Sequence, residues 1–146
     1  MAGTNEKAVY ICGPLTDLPE TVDREKLKEL YEEIAAAITK ELDIDCFVPH
    51  KHYDPEEHAH FRPTQVYQAE RERILKKTSC LVVIAVCPSW GGGAEVQICN
   101  EHDIPVILCY PAEGKISRFI RGGPAIKEEI PYKFIDGLKE TIALQV

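Results

Sequence analysis

The chain has 146 residues, a net charge of −7 and 45% hydrophobic residues, which is typical of one soluble globular domain. A chain of this length buries enough surface to fold without disulfides or metals. The acidic balance and the lack of a long Lys/Arg run argue against a nucleic acid polymer as partner, because such polymers are held through their phosphates. A small phosphorylated ligand needs only a few local donors and remains compatible.

The six cysteines form no C-x-x-C pair and most lie in apolar runs, so we expect buried, reduced thiols. The N-terminal MAGTNEKAVY lacks the apolar stretch of a secretory signal. No apolar run approaches the ~20 residues that cross a membrane. We therefore expect a cytoplasmic protein with no membrane partner.

The first half of the chain alternates strand and helix patterns. Apolar runs predict strands at residues 8–12 and 44–48, and apolar residues at helical spacing predict a helix over 21–42. The polar stretch HKHYDPEEHAHFRP is typical of a loop. Thr64 is then the predicted N-cap of a helix that extends to about residue 77.

The second half continues the alternation. CLVVIAV (80–86) and IPVILCY (104–110) predict buried parallel strands, and helices are predicted at 94–101, 115–121 and 134–144. This order predicts a three-layer α/β/α, flavodoxin-like (Rossmann-like) domain over residues 1–146. Its parallel five-stranded sheet is expected to have the order 2-1-3-4-5 or one near it.

In such sheets ligands bind beyond the carboxyl ends of the strands, where the strand order reverses. Gly13, after the first strand, and Glu95, in PSWGGGAE (88–95), are therefore expected to border one crevice. The three glycines allow positive φ and a close approach of backbone to ligand. Glu95 near a predicted helix N-terminus is expected to stay ionised, as nucleophile or charge stabiliser. A flexible strand-to-helix turn explains the same glycines.

Other motifs are less specific. The sequence lacks both G-x-G-x-x-G and G-x-x-x-x-G-K-[ST], which disfavours dinucleotide enzymes and P-loop nucleotidases. Four histidines lie within residues 50–60, but without a Cys or a helical i, i+4 pair they favour a solvated loop, so we expect no metal and no cofactor. The segment from Ser117 to Gly123 suits a phosphate or carboxylate, or an ordinary capped helix.

Together these motifs resemble those of the nucleoside 2-deoxyribosyltransferase superfamily, and within it the 2'-deoxynucleoside 5'-phosphate N-hydrolases. The resemblance extends from Val9 to about Gly122. VYICG (9–13) is similar to the family's first strand, and PSWGGGAE is similar to its P-S-x-G-x-G-x-E, whose glutamate is the nucleophile. ISRFIRG (116–122) resembles a segment whose serine reaches the phosphate in the neighbouring subunit's site.

The resemblance implies an N-glycosidase that hydrolyses 2'-deoxynucleoside 5'-monophosphates through a covalent Glu95 intermediate, giving free base and deoxyribose 5-phosphate. Glu95 would attack C1', and Tyr10 would position that carboxylate or the sugar. Ser89 and Ser117 would bind the phosphate, Ser117 across a homodimer interface. The other substrate-binding residues that the resemblance implies are Cys12, Gly13, Pro14, Leu15, His52, Gly91, Gly93 and Arg121.

Three positions depart from the family pattern. The family's acid, an aspartate before the third strand, aligns with Glu72 on ungapped spacing, or with Glu70 if a small insertion precedes the strand. Pro14 stands where the monophosphate hydrolases have serine, as in the transferases. Val96-Gln97 replaces the usual Leu-Gly after the nucleophile.

Three alternatives stay open at this stage. A transferase would exchange bases between unphosphorylated deoxynucleosides, although Ser117 and Arg121 disfavour it. A non-catalytic nucleotide-binding module would use the same fold without cleaving the bond. A metal-dependent hydrolase would use the histidine loop.

Overall fold

The computed structural model describes residues 6–133 and 137–146. The strands are β1 (Ala8–Cys12), β2 (Cys46–Phe47), β3 (Thr78–Ile84), β4 (Val106–Pro111) and β5 (Ile126–Tyr132). The helices are α1 (Arg24–Leu42), α2 (His50–Tyr53), α3 (Pro63–Lys77), α4 (Trp90–Glu101), α5 (Arg118–Arg121) and α6 (Leu138–Gln145).

Within the described residues the strands form one parallel sheet of order β2-β1-β3-β4-β5. In the register, Val9 pairs with Cys46 on one side of β1, and Tyr10 pairs with Leu81 on the other. The chain thus leaves β1 towards one edge and then crosses to β3 on the opposite side, which makes β1 and β3 the switch point. The predicted α/β/α, flavodoxin-like order is confirmed.

Alternate strand residues point to opposite faces of the sheet and divide the core in two. On one face Val9 and Ile11 pack with apolar residues of α1 and α6. On the other face Tyr10 and Cys12 pack with residues of α3 and α4. All six cysteines are free, and four of them are buried. The second face carries the side chains of the candidate site.

The segment predicted as a loop after the second strand is more ordered than its composition predicts. β2 has only two residues, and the short helix α2 follows within the histidine-rich stretch. The prediction of Thr64 as N-cap is wrong, because α3 begins at Pro63 with Arg62 as its cap. The Arg62 N–H donates to the Gln65 side chain at 2.8 Å, and proline suits the first helical position because it has no N–H to satisfy.

The helix that carries Glu95 begins earlier than residue 94. Ser89 is its N-cap and accepts a hydrogen bond from the Gly92 N–H at 3.1 Å, so the three glycines lie in the first turn of α4. No described glycine has positive φ, so these glycines do not use the left-handed region that they allow. Glu95 consequently lies in the second turn, where the helix dipole is weaker.

β5 had no predicted position in the sequence. Its residues IKEEIPY are half-exposed to exposed, as befits an edge strand. The predicted starts of β3, β4 and α5 differ from the observed ones by three residues or fewer. The predicted helix over 134–144 begins on residues 134–136, which lie outside the described residues, and the chain is helical from Leu138.

Candidate active site

A cavity of about 380 Å³ opens at the carboxyl ends of β1, β3 and β4, at the switch point. Its walls come from four segments: the turn after β1, the end of β3 and its loop, the first turns of α4, and the connection from β4 to α5. The lining is mostly apolar, and it includes the predicted site residues Cys12, Gly13, Pro14, Ser89, Gly93 and Ser117. A crevice is thus present where the first and third strands separate, and Gly13 lines it, whereas Glu95 is not among its lining residues.

Glu95 is not among the residues that line this cavity, and it contacts the lining through Cys12. Its Oε1 accepts a hydrogen bond from the Cys12 thiol at 3.4 Å, and Cys12 itself lines the cavity. Its Oε2 is buried and has no hydrogen-bond partner among the described residues. Burial raises the pKa of Glu95, and the Tyr10 and Cys12 donors partly oppose that shift. The expectation of an ionised Glu95 based on the helix dipole therefore misses the larger effect of burial.

Tyr10 projects from β1 into the same layer and is fully buried. Its hydroxyl has no hydrogen-bond partner within residues 6–133 and 137–146. Burial, reinforced by the charges of Glu95 and Glu70, raises its pKa far above the usual range, so the phenol stays protonated and is a donor. A donor in this position can stabilise negative charge on Glu95 or bind a sugar oxygen.

Glu70 on α3 is the second carboxyl group of this cluster. Burial and the charge of Glu95 raise the pKa of Glu70 to about 8. Glu72 lies on the exposed side of the same helix, where its Oε1 accepts from Lys76 Nζ at 2.7 Å and its pKa is lowered. The structure therefore brings Glu70, and not Glu72, to the neighbourhood of Glu95.

Aromatic side chains connect Tyr10 to the start of α2. The Phe47 ring lies 5.1 Å from Tyr10 and stacks on His52 at 5.0 Å with an interplanar angle of 12°. The Arg73 guanidinium covers Phe47 at 4.3 Å. Partial burial and the nearby Arg73 charge lower the pKa of His52, which therefore favours the neutral imidazole at neutral pH. His52 does not line the cavity but lies on the same face as Glu70.

Besides His52, three predicted substrate-binding residues are absent from the cavity lining. Arg121 donates from Nε to Glu129 Oε1 at 2.6 Å and so pairs with a carboxylate of the edge strand β5. The Leu15 carbonyl accepts from Arg24 Nε at 3.3 Å on a neighbouring groove. Gly91 is exposed on the first turn of α4.

The histidine-rich segment is anchored by Asp54, which the sequence did not single out. Asp54 is fully buried; its Oδ1 accepts from Arg24 Nη2 at 2.6 Å, and its Oδ2 lies 2.8 Å from Lys28 Nζ. His50 is buried beside Tyr31. In the part of the chain that the structure describes, no three His, Cys, Asp or Glu side chains converge in a way that could hold a metal ion.

Sequence reasoning also missed Lys115. It is the one charged residue among those that line the cavity, and it forms no ion pair with any described residue. Ser89 and Ser117 line the same cavity. The sequence could have indicated Lys115, because it lies two residues before the predicted phosphate ligand Ser117 in the short connection after β4.

The comparison with protein families found no matching model, and the comparison with curated proteins found no significant match. Solved structures do match. A conserved protein from Enterococcus faecalis V583 is 17% identical with a TM-score of 0.70, covering 97% of this chain and 99% of its own. CMP N-glycosidase BcmB from Clostridium botulinum is 15% identical with a TM-score of 0.69, covering 96% and 100%.

A 2-deoxyribosyltransferase from Bacillus psychrosaccharolyticus is 18% identical with a TM-score of 0.61, and 90% of each chain is covered. The chain therefore shares the fold of a CMP N-glycosidase and of a 2-deoxyribosyltransferase. At these identities the likeness establishes the arrangement of strands and helices, and the chemistry has to be argued from the side chains. Among the described helices, none is both long and apolar enough to span a bilayer.

Proposed function

We propose that this protein is an N-glycosidase that hydrolyses 2'-deoxynucleoside 5'-monophosphates to free base and deoxyribose 5-phosphate. The observation that carries the proposal is the half-buried carboxyl pair Glu70 and Glu95 near the Tyr10 hydroxyl, with Cys12 joining Glu95 to a cavity at the switch point. Glycoside cleavage requires two carboxyl groups of which one keeps its proton, and the charge of Glu95 helps to raise the pKa of Glu70. Two structures of the same fold, a CMP N-glycosidase and a 2-deoxyribosyltransferase, support this chemistry.

The pair divides into nucleophile and acid. Two neighbouring carboxylates resist simultaneous ionisation, so one proton is retained near neutral pH. Burial raises the pKa of both groups, but Tyr10 and Cys12 oppose that rise for Glu95, and no described group opposes it for Glu70. Glu95 is therefore the carboxylate that attacks, and Glu70 is the acid that keeps its proton.

In the first step a Glu95 oxygen bonds to C1' as the bond from C1' to the base nitrogen breaks. The electron pair of that bond leaves with the base, which takes a proton from Glu70. Positive charge develops on the sugar and is stabilised by the adjacent carboxylate. The absence of an electron-withdrawing 2'-hydroxyl makes a deoxyribosyl substrate easier to ionise.

In the second step water attacks C1' of the glycosyl ester. Glu70, now ionised, takes a proton from that water, and Glu95 leaves as a carboxylate. The products are the free base and deoxyribose 5-phosphate, with retention at C1'. A second base in place of water would give transfer by the same intermediate.

The cavity fits the 5'-phosphate. Lys115 supplies a positive charge there, and Ser89 and Ser117 supply hydroxyl donors. The exposed His52 ring, which stacks on the buried Phe47, suits the base, because aromatic rings stack on nucleobases. The sugar then lies between them, against Glu95.

A homodimer belongs to the same proposal. Trp90 is 99% exposed and Phe119 is 85% exposed, on elements that contact each other where Gly93 approaches Ile120. Exposed aromatic side chains of this kind are typical of interface cores. Dimerisation through this patch would bring Ser117 of one subunit towards the other's cavity. Sedimentation tests it: an active monomer contradicts the shared site.

The second candidate, base exchange between deoxynucleosides, is favoured by Pro14, which lines the cavity and offers no side-chain donor to phosphate. The assay incubates the protein with each deoxynucleoside 5'-monophosphate, the matching nucleosides and CMP, and follows free base by chromatography. Release from the deoxynucleoside monophosphates alone supports the proposal. Exchange from nucleosides, only with a second base added, supports the transferase. Cleavage of CMP alone moves the substrate class to ribonucleotides.

A further inference from the structure

The two oxygens of Glu95 have different surroundings. Oε1 accepts a hydrogen bond from the Cys12 thiol at 3.4 Å, a bond that joins residues 83 positions apart. Oε2 is buried and has no hydrogen-bond partner among the described residues. Unpartnered buried carboxylate oxygens are costly, so this one is expected to find its partner in a ligand or a water molecule.

Cys12 is held in place by its position at the end of β1. It is 2% exposed, and its sulfur lies 3.5 Å from the place that a Cβ at Gly92 would occupy. Burial and the charge of Glu95 raise the pKa of Cys12 well above its usual value. The sulfur therefore carries its proton at neutral pH, acts as a donor to Glu95, and is a poor nucleophile itself.

We propose that Cys12 is a positioning residue that engages Oε1 of Glu95 through its S–H group, leaving Oε2 as the oxygen that attacks C1'. This inference rests on the proposed function for the identity of the attacked atom. It is independent of that function for the contact between the two side chains. The thiol also favours the ionised carboxylate, because a donor stabilises the charged form.

Four titratable groups face Glu95. Tyr10 and Cys12 come from β1, Glu70 comes from α3, and Cys99 lies one turn further along α4. The Cys12 thiol donates to Glu95, and the nearby Tyr10 hydroxyl, which makes no hydrogen bond among the described residues, also favours its ionisation, whereas a charge on Glu70 would oppose it. Cys99 is buried on the same face without a hydrogen bond to Glu95, which makes it a matched thiol for comparison.

The test compares Cys12→Ala, Cys12→Ser and Cys99→Ala. In Cys12→Ala we expect the acidic limb of the pH profile of kcat/KM to move to higher pH and kcat to fall roughly tenfold, since one hydrogen bond to a charged group is lost. Serine keeps a donor, so Cys12→Ser is expected to restore the limb. Cys99→Ala is expected to behave as wild type. A limb that stays in place in Cys12→Ala overturns the proposal, even if kcat falls.

A second readout does not depend on turnover. The ionisation of Glu95 is followed directly by carbon NMR of labelled glutamate, assigned with Glu95→Gln. The proposal expects its midpoint to rise in Cys12→Ala and to return in Cys12→Ser. An unchanged midpoint overturns the contact between thiol and carboxylate, whether or not the protein releases base. Absence of base release with a shifted midpoint overturns the proposed function and the assignment of Oε2 as attacking atom.

Discussion

Glu95 on α4 and Glu70 on α3 place two carboxyl groups on the same face of the sheet, close enough for the charge of Glu95 to help raise the pKa of Glu70 to about 8. Tyr10, fully buried on β1 with its hydroxyl unpartnered in the described part of the chain, lies beside both of them. This cluster costs the folded protein stability, since the Tyr10 hydroxyl and Glu95 Oε2 are buried without a hydrogen-bond partner among the described residues. Such a cost is typical of sites that are organised for chemistry.

The pH dependence of base release tests the role of Glu70. An acid with a pKa of about 8 loses its proton as the pH rises through that value, so kcat/KM is expected to fall above about pH 8. Glu70→Gln should lower kcat by about 10²-fold or more and remove that basic limb. The matched control is Glu72→Gln, two residues away and exposed, which should keep the wild-type profile. The opposite result, in which activity requires Glu72 and not Glu70, would identify Glu72 as the acid, as the ungapped alignment predicts.

Folding stability gives a second test of the same group. A carboxyl group whose pKa rises on folding binds its proton more tightly in the folded state, so its contribution is fully present below the unfolded pKa of about 4.3 and is lost as the pH rises through 8. Glu70→Gln does not titrate. Its free energy of unfolding, from urea denaturation, should therefore exceed that of wild type increasingly from pH 5 to pH 8. If the difference in free energy of unfolding between Glu70→Gln and wild type stays constant from pH 5 to pH 8, the raised pKa of Glu70 is contradicted.

Asp54 is expected to anchor the segment that carries His52. It lies between Arg24 and Lys28, whose hydrogen bonds, with two backbone N–H groups, lower its pKa despite burial. Asp54→Asn should lower the free energy of unfolding by about 3 kcal/mol at pH 7, because two cations lose their counter-charge.

The size of that loss should depend on pH. A carboxyl group with a depressed pKa stabilises the fold above its unfolded pKa of about 3.9, and the stabilisation is lost as the pH falls below it. The difference between Asp54→Asn and wild type should therefore shrink below about pH 4. Glu56→Gln is the control, because Glu56 pairs with Arg24 at 3.4 Å from an exposed position. Equal losses in both variants would contradict a buried anchor.

Lys115 should contribute to recognition of the 5'-phosphate. Lys115→Gln is expected to raise KM for a deoxynucleoside monophosphate about tenfold while leaving the unphosphorylated nucleoside unaffected, because only the phosphate carries the complementary charge. Lys127→Gln removes the same charge from β5, away from the cavity lining, and should have no effect. Sensitivity to Arg121→Gln in place of Lys115→Gln would mean that the Arg121–Glu129 pair opens to take the phosphate.

The sequence predicts the order of the strands in the sheet better than it predicts where individual strands and helices begin and end. The buried runs of β3 and β4 and the amphipathic pattern of α1 determine the layers and the strand order. β5 could not be located because an edge strand has no continuous apolar run. The start of α4 was placed too late because Trp-Gly-Gly-Gly has low helix propensity, and the Ser89 cap and tertiary contacts outweigh that propensity.

The sequence predicts a site residue well when a specific motif contains it. It predicts poorly which residues of a helix face the site, because that depends on how the helix is rotated against the sheet. Glu95 follows from PSWGGGAE alone. The choice between Glu70 and Glu72 depends on the rotation of α3 against the sheet, and two residues correspond to more than half a turn. Arg121 has the right charge for a phosphate, but its partner Glu129 lies on β5, which could not be located from the sequence.

The most direct test of the central claim compares wild type with Glu95→Gln on the four deoxynucleoside 5'-monophosphates, with circular dichroism to show that the variant folds. We expect wild type to release base and deoxyribose 5-phosphate in equal amounts, and Glu95→Gln to be slower by about 10³-fold or more, because the attacking carboxylate is lost. A folded Glu95→Gln protein that releases base at nearly the wild-type rate would contradict the account.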